Sequence, residues 1–265
     1  MASFIARAVG RRLAGFLSRP RPNQADVPNV PPDLLVSRIR PGDVLLVEGT
    51  SQFSTAIKYL TQSTWSHAAL CIGHDASRGT AHSAETILLV EADVIAGVQV
   101  IPLSTYALSH TRICRPVGLT GEETRHVIDY VSTRIGHQYD LRNIIDLARY
   151  LLPTPPVPTR FRRRMIALGS GDPTRAICSS LIALAFQSVR YPILPEVTLL
   201  PSDDPRCKSC YDEVLHIRHH SLFTPRDFDV SPYFDVIKPI VAAGFDPHSL
   251  IWQDRHERTG AGASA

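Results

Sequence analysis

Of the five cysteines in this 265-residue chain, Cys178 has the surroundings that suit nucleophilic chemistry. It opens the run Cys178-Ser179-Ser180-Leu181-Ile182-Ala183-Leu184, which predicts an apolar helix over 178–189 with the thiol in its first turn. The thiolate is the nucleophile, and a free cysteine with a pKa of about 8.5 supplies little of it near neutrality. Unpaired amides at a helix N-terminus favour an anion, and a neighbouring imidazolium favours it further. The histidine for that role is His67, which starts the apolar stretch Ala68-Ala69-Leu70-Cys71-Ile72. Glu91 ends the next apolar run, Leu88-Leu89-Val90, where an adjacent antiparallel strand brings a carboxylate to the imidazole. A carboxylate there fixes the histidine tautomer and stabilises its charged form. The chemistry such a trio performs is thiolate attack on an amide or ester carbonyl, with helix amides holding the oxyanion.

Other thiols fit less well. Cys71 lies in mid-strand, four residues and roughly 13 Å from His67. Cys114 ends a strand beside Arg115. Taken singly, Cys178 also reads as a small buried helix residue and His67 as a strand-end histidine. Asp43, in Gly42-Asp43, reads as a turn residue before it reads as a polar neighbour of the site.

The elements that must position these groups follow from the pattern. Arg40-Pro41-Gly42-Asp43 is a turn launching a strand at Val44–Glu48, Gln52–Leu60 is a short helix, and His67–Gly73 is the histidine strand. Strands are predicted at Ile87–Glu91, Val98–Ile101 and Thr111–Arg115, closely spaced as in an antiparallel sheet or small barrel. A helix begins at Gly121 and stops at Gly136, and a second covers Leu141–Leu152, ended by Pro153. After 191 the chain reads as loop, with one strand at Tyr233–Lys238 and an ordered turn at Phe223–Phe228. Sheet first and helices after is an α+β layout. The expected organisation is an amphipathic helix and Pro-rich linker over 1–32, with five prolines between Pro20 and Pro32. A catalytic domain follows over 33–240, with an insertion at 153–175 and an extension at 191–240, and then a tail over 241–265.

Five segments then carry a family resemblance in order: Gly42-Asp43-Val44-Leu45, Trp65-Ser66-His67-Ala68, Val90-Glu91-Ala92, Gly136-His137-Gln138-Tyr139-Asp140 and Cys178-Ser179-Ser180-Leu181-Ile182. Over about Arg40 to Val189 the chain resembles the permuted papain-like amidases (YiiX-like) of the NlpC superfamily, in which histidine and glutamate precede the cysteine. The resemblance implies a circularly permuted papain-like fold, Cys178 as nucleophile, His67 as base and Glu91 as the group that orients it. It also implies that Tyr139 and Asp140 support the site, and it places Trp65 and Ser179 beside the reacting groups as supporting or substrate-binding positions. No cofactor is expected. The Pro-rich basic insertion and the long C-terminal extension depart from the family pattern.

Composition bounds the partners. A net charge of +3, with basic residues gathered near the N-terminus and at Arg160–Arg164, gives no basic face for nucleic acid. Residues 1–21 place Phe4, Ile5, Val9, Leu13, Phe16 and Leu17 opposite Arg7, Arg11 and Ser18. That pattern fits a helix resting on anionic lipid, a helix packed on its own domain, or a frayed tail. Arg160–Arg164 is a candidate phosphate or lipid contact, or a solvated loop. Without an export-signal pattern or a disulfide framework, a cytoplasmic location is expected, either free or in peripheral contact with the inner membrane face. Cys207 and Cys210, followed by His216, His219 and His220, form an irregular zinc candidate whose alternative is an exposed loop. Three functions remain open: a thiol hydrolase cleaving a peptide, amino-acid conjugate or N-acyl amine; a lipid-directed acyltransferase or thioesterase at a membrane; and a non-catalytic binding module of the same fold.

Overall fold

In the computed structural model of the protein, the residues described here are 28–75, 83–93, 96–137, 178–201 and 211–249. The predicted strands pair into one antiparallel sheet. β1 (Val44–Val47) is apolar throughout and wholly buried, and it lies between β2 (His67–His74) and β5 (Thr111–Pro116). β3 (Ile87–Asp93) and β4 (Gly97–Pro102) extend the sheet on the β2 side, and β8 (Phe234–Ile237) extends it beside β5. The order is β4-β3-β2-β1-β5-β8, so β4 and β8 form the two edges of a sheet. A run of apolar residues suits a strand with both faces covered, and both faces of β1 are.

One face carries Val44, Leu46, Ala68, Leu70 and Val90. It packs against α3 (Gly121–Ser132) and α4 (Cys178–Ser188), with Phe186, Phe228 and Phe234 filling the space between. The opposite face carries Leu45, Val47, Ala69, Cys71 and Leu89, and α1 (Pro32–Arg38) closes it with Leu35 and Val36. The α3 N-terminus has a reciprocal capping box between Thr120 and Glu123. Beyond its end the predicted stop, Gly136, has a φ of +85°, a conformation that glycine takes at little cost. α2 (Gln52–Thr61) starts on Ser51, whose hydroxyl accepts from the Ser54 amide.

The mixed sheet-and-helix layout agrees with expectation, but the order of elements is less segregated than predicted. Helix α1 precedes the sheet, beginning where the expected linker ends, in residues 33–38 that carried no predicted element. A hairpin of β6 (Glu196–Pro201) and β7 (Tyr211–His216) stands in the segment read as loop. Phe223–Phe228 includes most of α5 (Pro225–Asp229), capped by Thr224 and Asp227, and a short α6 (Pro239–Ala242) follows β8. Phe223 and Phe228 are buried, as expected of a segment that packs on the core. Among the described residues no helix is long and apolar enough to cross a membrane. The N-terminal amphipathic stretch, the helix expected at 141–152, Arg160–Arg164 and the end of the tail lie outside the described residues.

Candidate active site

His67 is the first residue of β2, and Cys178 is the first residue of α4. Ala69 stands across the ladder from Glu91, so His67, two residues back on the same side of β2, is the diagonal neighbour of that carboxylate. The side chains meet: His67 Nε2 lies 2.8 Å from Glu91 Oε2. With Nε2 taken by the carboxylate, Nδ1 is the ring nitrogen left for the thiol, and the Cys178 side chain is near enough to raise the His67 pKa. Helix α4 packs on the Ala68–Leu70 face, whereas His67 and Glu91 alternate onto the other face. The helix start therefore reaches the imidazole at the end of the sheet, where β2 begins.

The electrostatics of the three groups agree. Burial alone lowers the pKa of His67. Cys178, joined by the hydrogen bond and charge of Glu91, outweighs it and holds the imidazole well above its ordinary 6.5. Burial raises Glu91, but the hydrogen bond and charge of His67, with further bonds from Tyr106 and Gln99, bring its carboxyl below the ordinary range. Such a site favours the imidazolium form of His67 beside an ionised Glu91. The His67 side chain is 22% exposed, while Cys178 is 3% exposed.

Two groups in this arrangement were not singled out in the sequence. Gln99 pairs with Glu91 across the β3–β4 ladder, and its Nε2 donates to Glu91 Oε1 at 2.8 Å. Tyr106, from the short 3₁₀ helix Leu103–Tyr106 that follows β4, donates its hydroxyl to Glu91 Oε2, and its ring lies 6.0 Å from that of His67. Burial and the negative charge of Glu91 raise the Tyr106 pKa strongly, so the phenol stays a neutral donor. Once β4 was predicted as a strand, alternation across from Glu91 was the signal for Gln99. Nothing local marked Tyr106.

The same end of the sheet carries a second polar network. Trp65 is buried, and its indole N–H donates to Asp229 Oδ2 at 3.0 Å. Arg112 Nη1 lies 2.5 Å from Asp229 Oδ1, and its guanidinium sits 4.9 Å from the Trp65 ring. The Ser66 hydroxyl accepts from the Gly49 amide at 2.8 Å. A Cβ on Gly49 would come within 2.2 Å of Ser54 Oγ and 2.9 Å of Ser66 Oγ, so a side chain there would displace both serines. These contacts fix both residues that precede His67.

The remaining predicted positions divide. Ser179 is fully buried and donates its hydroxyl to the Phe223 carbonyl at 2.8 Å, which ties the first turn of α4 to the core. Cys71 and Cys114 are buried, and burial pushes Cys71 up to about 12 and Cys114 higher still. Asp43 is buried at the opposite end of β1 from His67, where it accepts from Arg115 and the Arg40 amide. Tyr139, Asp140, Cys207 and Cys210 lie outside the described residues. His216 and His219 are exposed, and the described residues contain no cluster of three or more potential metal ligands.

With this geometry the comparisons can be read. Residues 38–150 match the family model described as permuted papain-like amidase enzyme, YaeF/YiiX, C92 family. Over this segment the chain is similar to the permuted papain-like amidases. The amidase match includes His67, Glu91, Gln99 and Tyr106, and it ends before Cys178. Among solved structures, the chain is similar to the crystal structure of metalloprotein yiiX from Escherichia coli O157:H7. The identity is 15%, the TM-score is 0.45, and the alignment covers 75% of this chain and 96% of that one. No curated protein sequence matches.

Proposed function

We propose that this protein is a cysteine-dependent hydrolase that cleaves an amide through an acyl-enzyme on Cys178, on a circularly permuted papain-like fold. The observation that carries this reading is the His67 imidazole held between Glu91 at 2.8 Å and the Cys178 side chain. The match of residues 38–150 to permuted papain-like amidases supports it.

In this reading the Cys178 thiolate attacks the carbonyl carbon, forming the S–C bond as the carbonyl pair moves to oxygen. Amides of the first turn of α4 face the developing oxyanion. His67, as imidazolium, gives its proton to the departing amine when the tetrahedral intermediate collapses, leaving a thioester on Cys178. The neutral imidazole then takes a proton from water as it attacks the thioester, and the acid product leaves with the thiol restored. Glu91 keeps the ring oriented through both steps, and Gln99 and Tyr106 keep Glu91 in place. The substrate class is a peptide, an amino-acid conjugate or an N-acyl amine.

An activated ester tests the covalent step without knowledge of the natural substrate. Incubation with p-nitrophenyl acetate followed by peptide mass spectrometry should place an acetyl group on Cys178, and Cys178→Ser should abolish that thioester. Acetylation confined to lysines, or unchanged in the variant, would contradict the proposal.

A further inference from the structure

Helix α4 has a second place of interest at its far end. Gln187 is nine residues beyond Cys178, roughly 14 Å along the axis. There the chain leaves the helix through Arg190, whose φ of 55° is left-handed, and turns back beneath the end of β7. Between them lies a cavity of about 240 Å³. Ile193 and Phe223 form buried walls, and Leu215 and Ile217, 42% and 66% exposed, form its open side. Among the described residues that line it, two are cationic, Arg190 and Arg218, and none is acidic.

Arg190 is exposed and Arg218 is half-buried. Neither is in an ion pair with a described carboxylate, and Arg218 Nη1 is buried with no hydrogen-bond acceptor. The Arg218 backbone is held in place, its carbonyl accepting from Gln187 Nε2 at 2.8 Å. A guanidinium nitrogen removed from water without an acceptor costs free energy that an anion in the cavity would recover. The apolar walls select the rest of the ligand, because Leu215 and Ile217 gain by being covered.

We propose that this cavity is a binding site for a small organic carboxylate with an aliphatic body, its carboxylate on Arg218 and Arg190 and its hydrocarbon against Leu215 and Ile217. The volume suits a short chain or one aliphatic residue and not a long acyl tail. Two sources share this chemistry, a medium-chain fatty acid and the C-terminal residue of a peptide.

Calorimetric titration of the full chain tests the site, with octanoate and N-acetyl-leucine as probes and octanamide and N-acetyl-leucinamide as uncharged counterparts. At least one carboxylate should bind ~10-fold or more tightly than its amide, the range set by a charge-assisted hydrogen bond. The tighter of the two carboxylates identifies the source. Arg218→Gln should remove the preference, and Arg190→Gln, at an exposed position, should reduce it even where the Arg218 variant does not fold. No binding of either carboxylate up to about 10 mM, equal binding of the amides, or undiminished preference in the folded variants would overturn the proposal.

Discussion

Glu91 reaches the Nε2 of His67 at 2.8 Å from the neighbouring strand, on a diagonal of the β2–β3 ladder. Burial opposes the imidazolium here, but Cys178 and Glu91 together raise its pKa well above 6.5. A raised histidine pKa contributes stability that is complete below the unfolded value and is lost as pH rises through the folded one. The lowered Glu91 pKa acts from the other side, contributing above 4.5 and fading as pH falls through the folded value. The His67 ring, followed by its NMR resonance, should remain protonated at pH values well beyond 6.5. Its midpoint should fall in Glu91→Gln, where burial keeps its full effect and one anion is gone. An unmoved midpoint would show that Glu91 does not hold the charge.

Tyr106 and Gln99 each donate a hydrogen bond to Glu91, so they are positioning residues. Tyr106→Phe should slow acylation by an activated ester ~10-fold, about the worth of one hydrogen bond to a charged group. It should also move the acid limb of the pH profile upward, because the Glu91 carboxyl loses one of the bonds that keep it ionised. A slower rate with an unshifted acid limb would assign Tyr106 a packing role only.

The histidine strand, its neighbours and the start of α4 were legible in the sequence because each has a strong local signal. Alternation placed Glu91 beside His67, and an apolar run after Cys178 placed the thiol in a first turn. The β6–β7 hairpin was not legible, since Glu196–Pro201 and Tyr211–His216 leave apolar residues such as Leu199 and Leu215 exposed and show no inward-facing pattern. Helix α1 was missed because Pro31 and Pro32 read as linker, although proline at the first turn of a helix is well tolerated. Tyr106 was missed because its role depends on a 3₁₀ turn folding back over β3, a long-range event with no sequence period.

Asp229 joins Trp65 and Arg112 in front of the histidine strand. Asp229→Ala leaves the buried indole N–H without its acceptor, an effect on the order of 1–3 kcal/mol. Thermal unfolding should show a lower Tm, and Cys178 reactivity should fall because the residues that lead into His67 are no longer fixed. A variant as stable and as reactive as the parent would show that the network is dispensable.

The buried strand thiols provide an internal control. Burial pushes Cys71 up to about 12 and Cys114 further. Peptide mapping after alkylation of the folded protein near neutral pH should find both unmodified, and both labelled only after denaturation. Labelling of either in the native state at the rate of Cys178 would remove the distinction between a packed thiol and a nucleophilic one.

The central claim is that Cys178 and His67 form an activated pair. Its most direct test is the rate of iodoacetamide labelling of Cys178 at pH 6, read by peptide mass spectrometry, in the parent protein and in His67→Ala. An ordinary cysteine is only ~0.3% thiolate at that pH. Fast labelling in the parent, slowed on the order of 10²-fold in the folded variant, is the expected result. Labelling as slow as an ordinary thiol, or equally fast in both proteins, would contradict the pair.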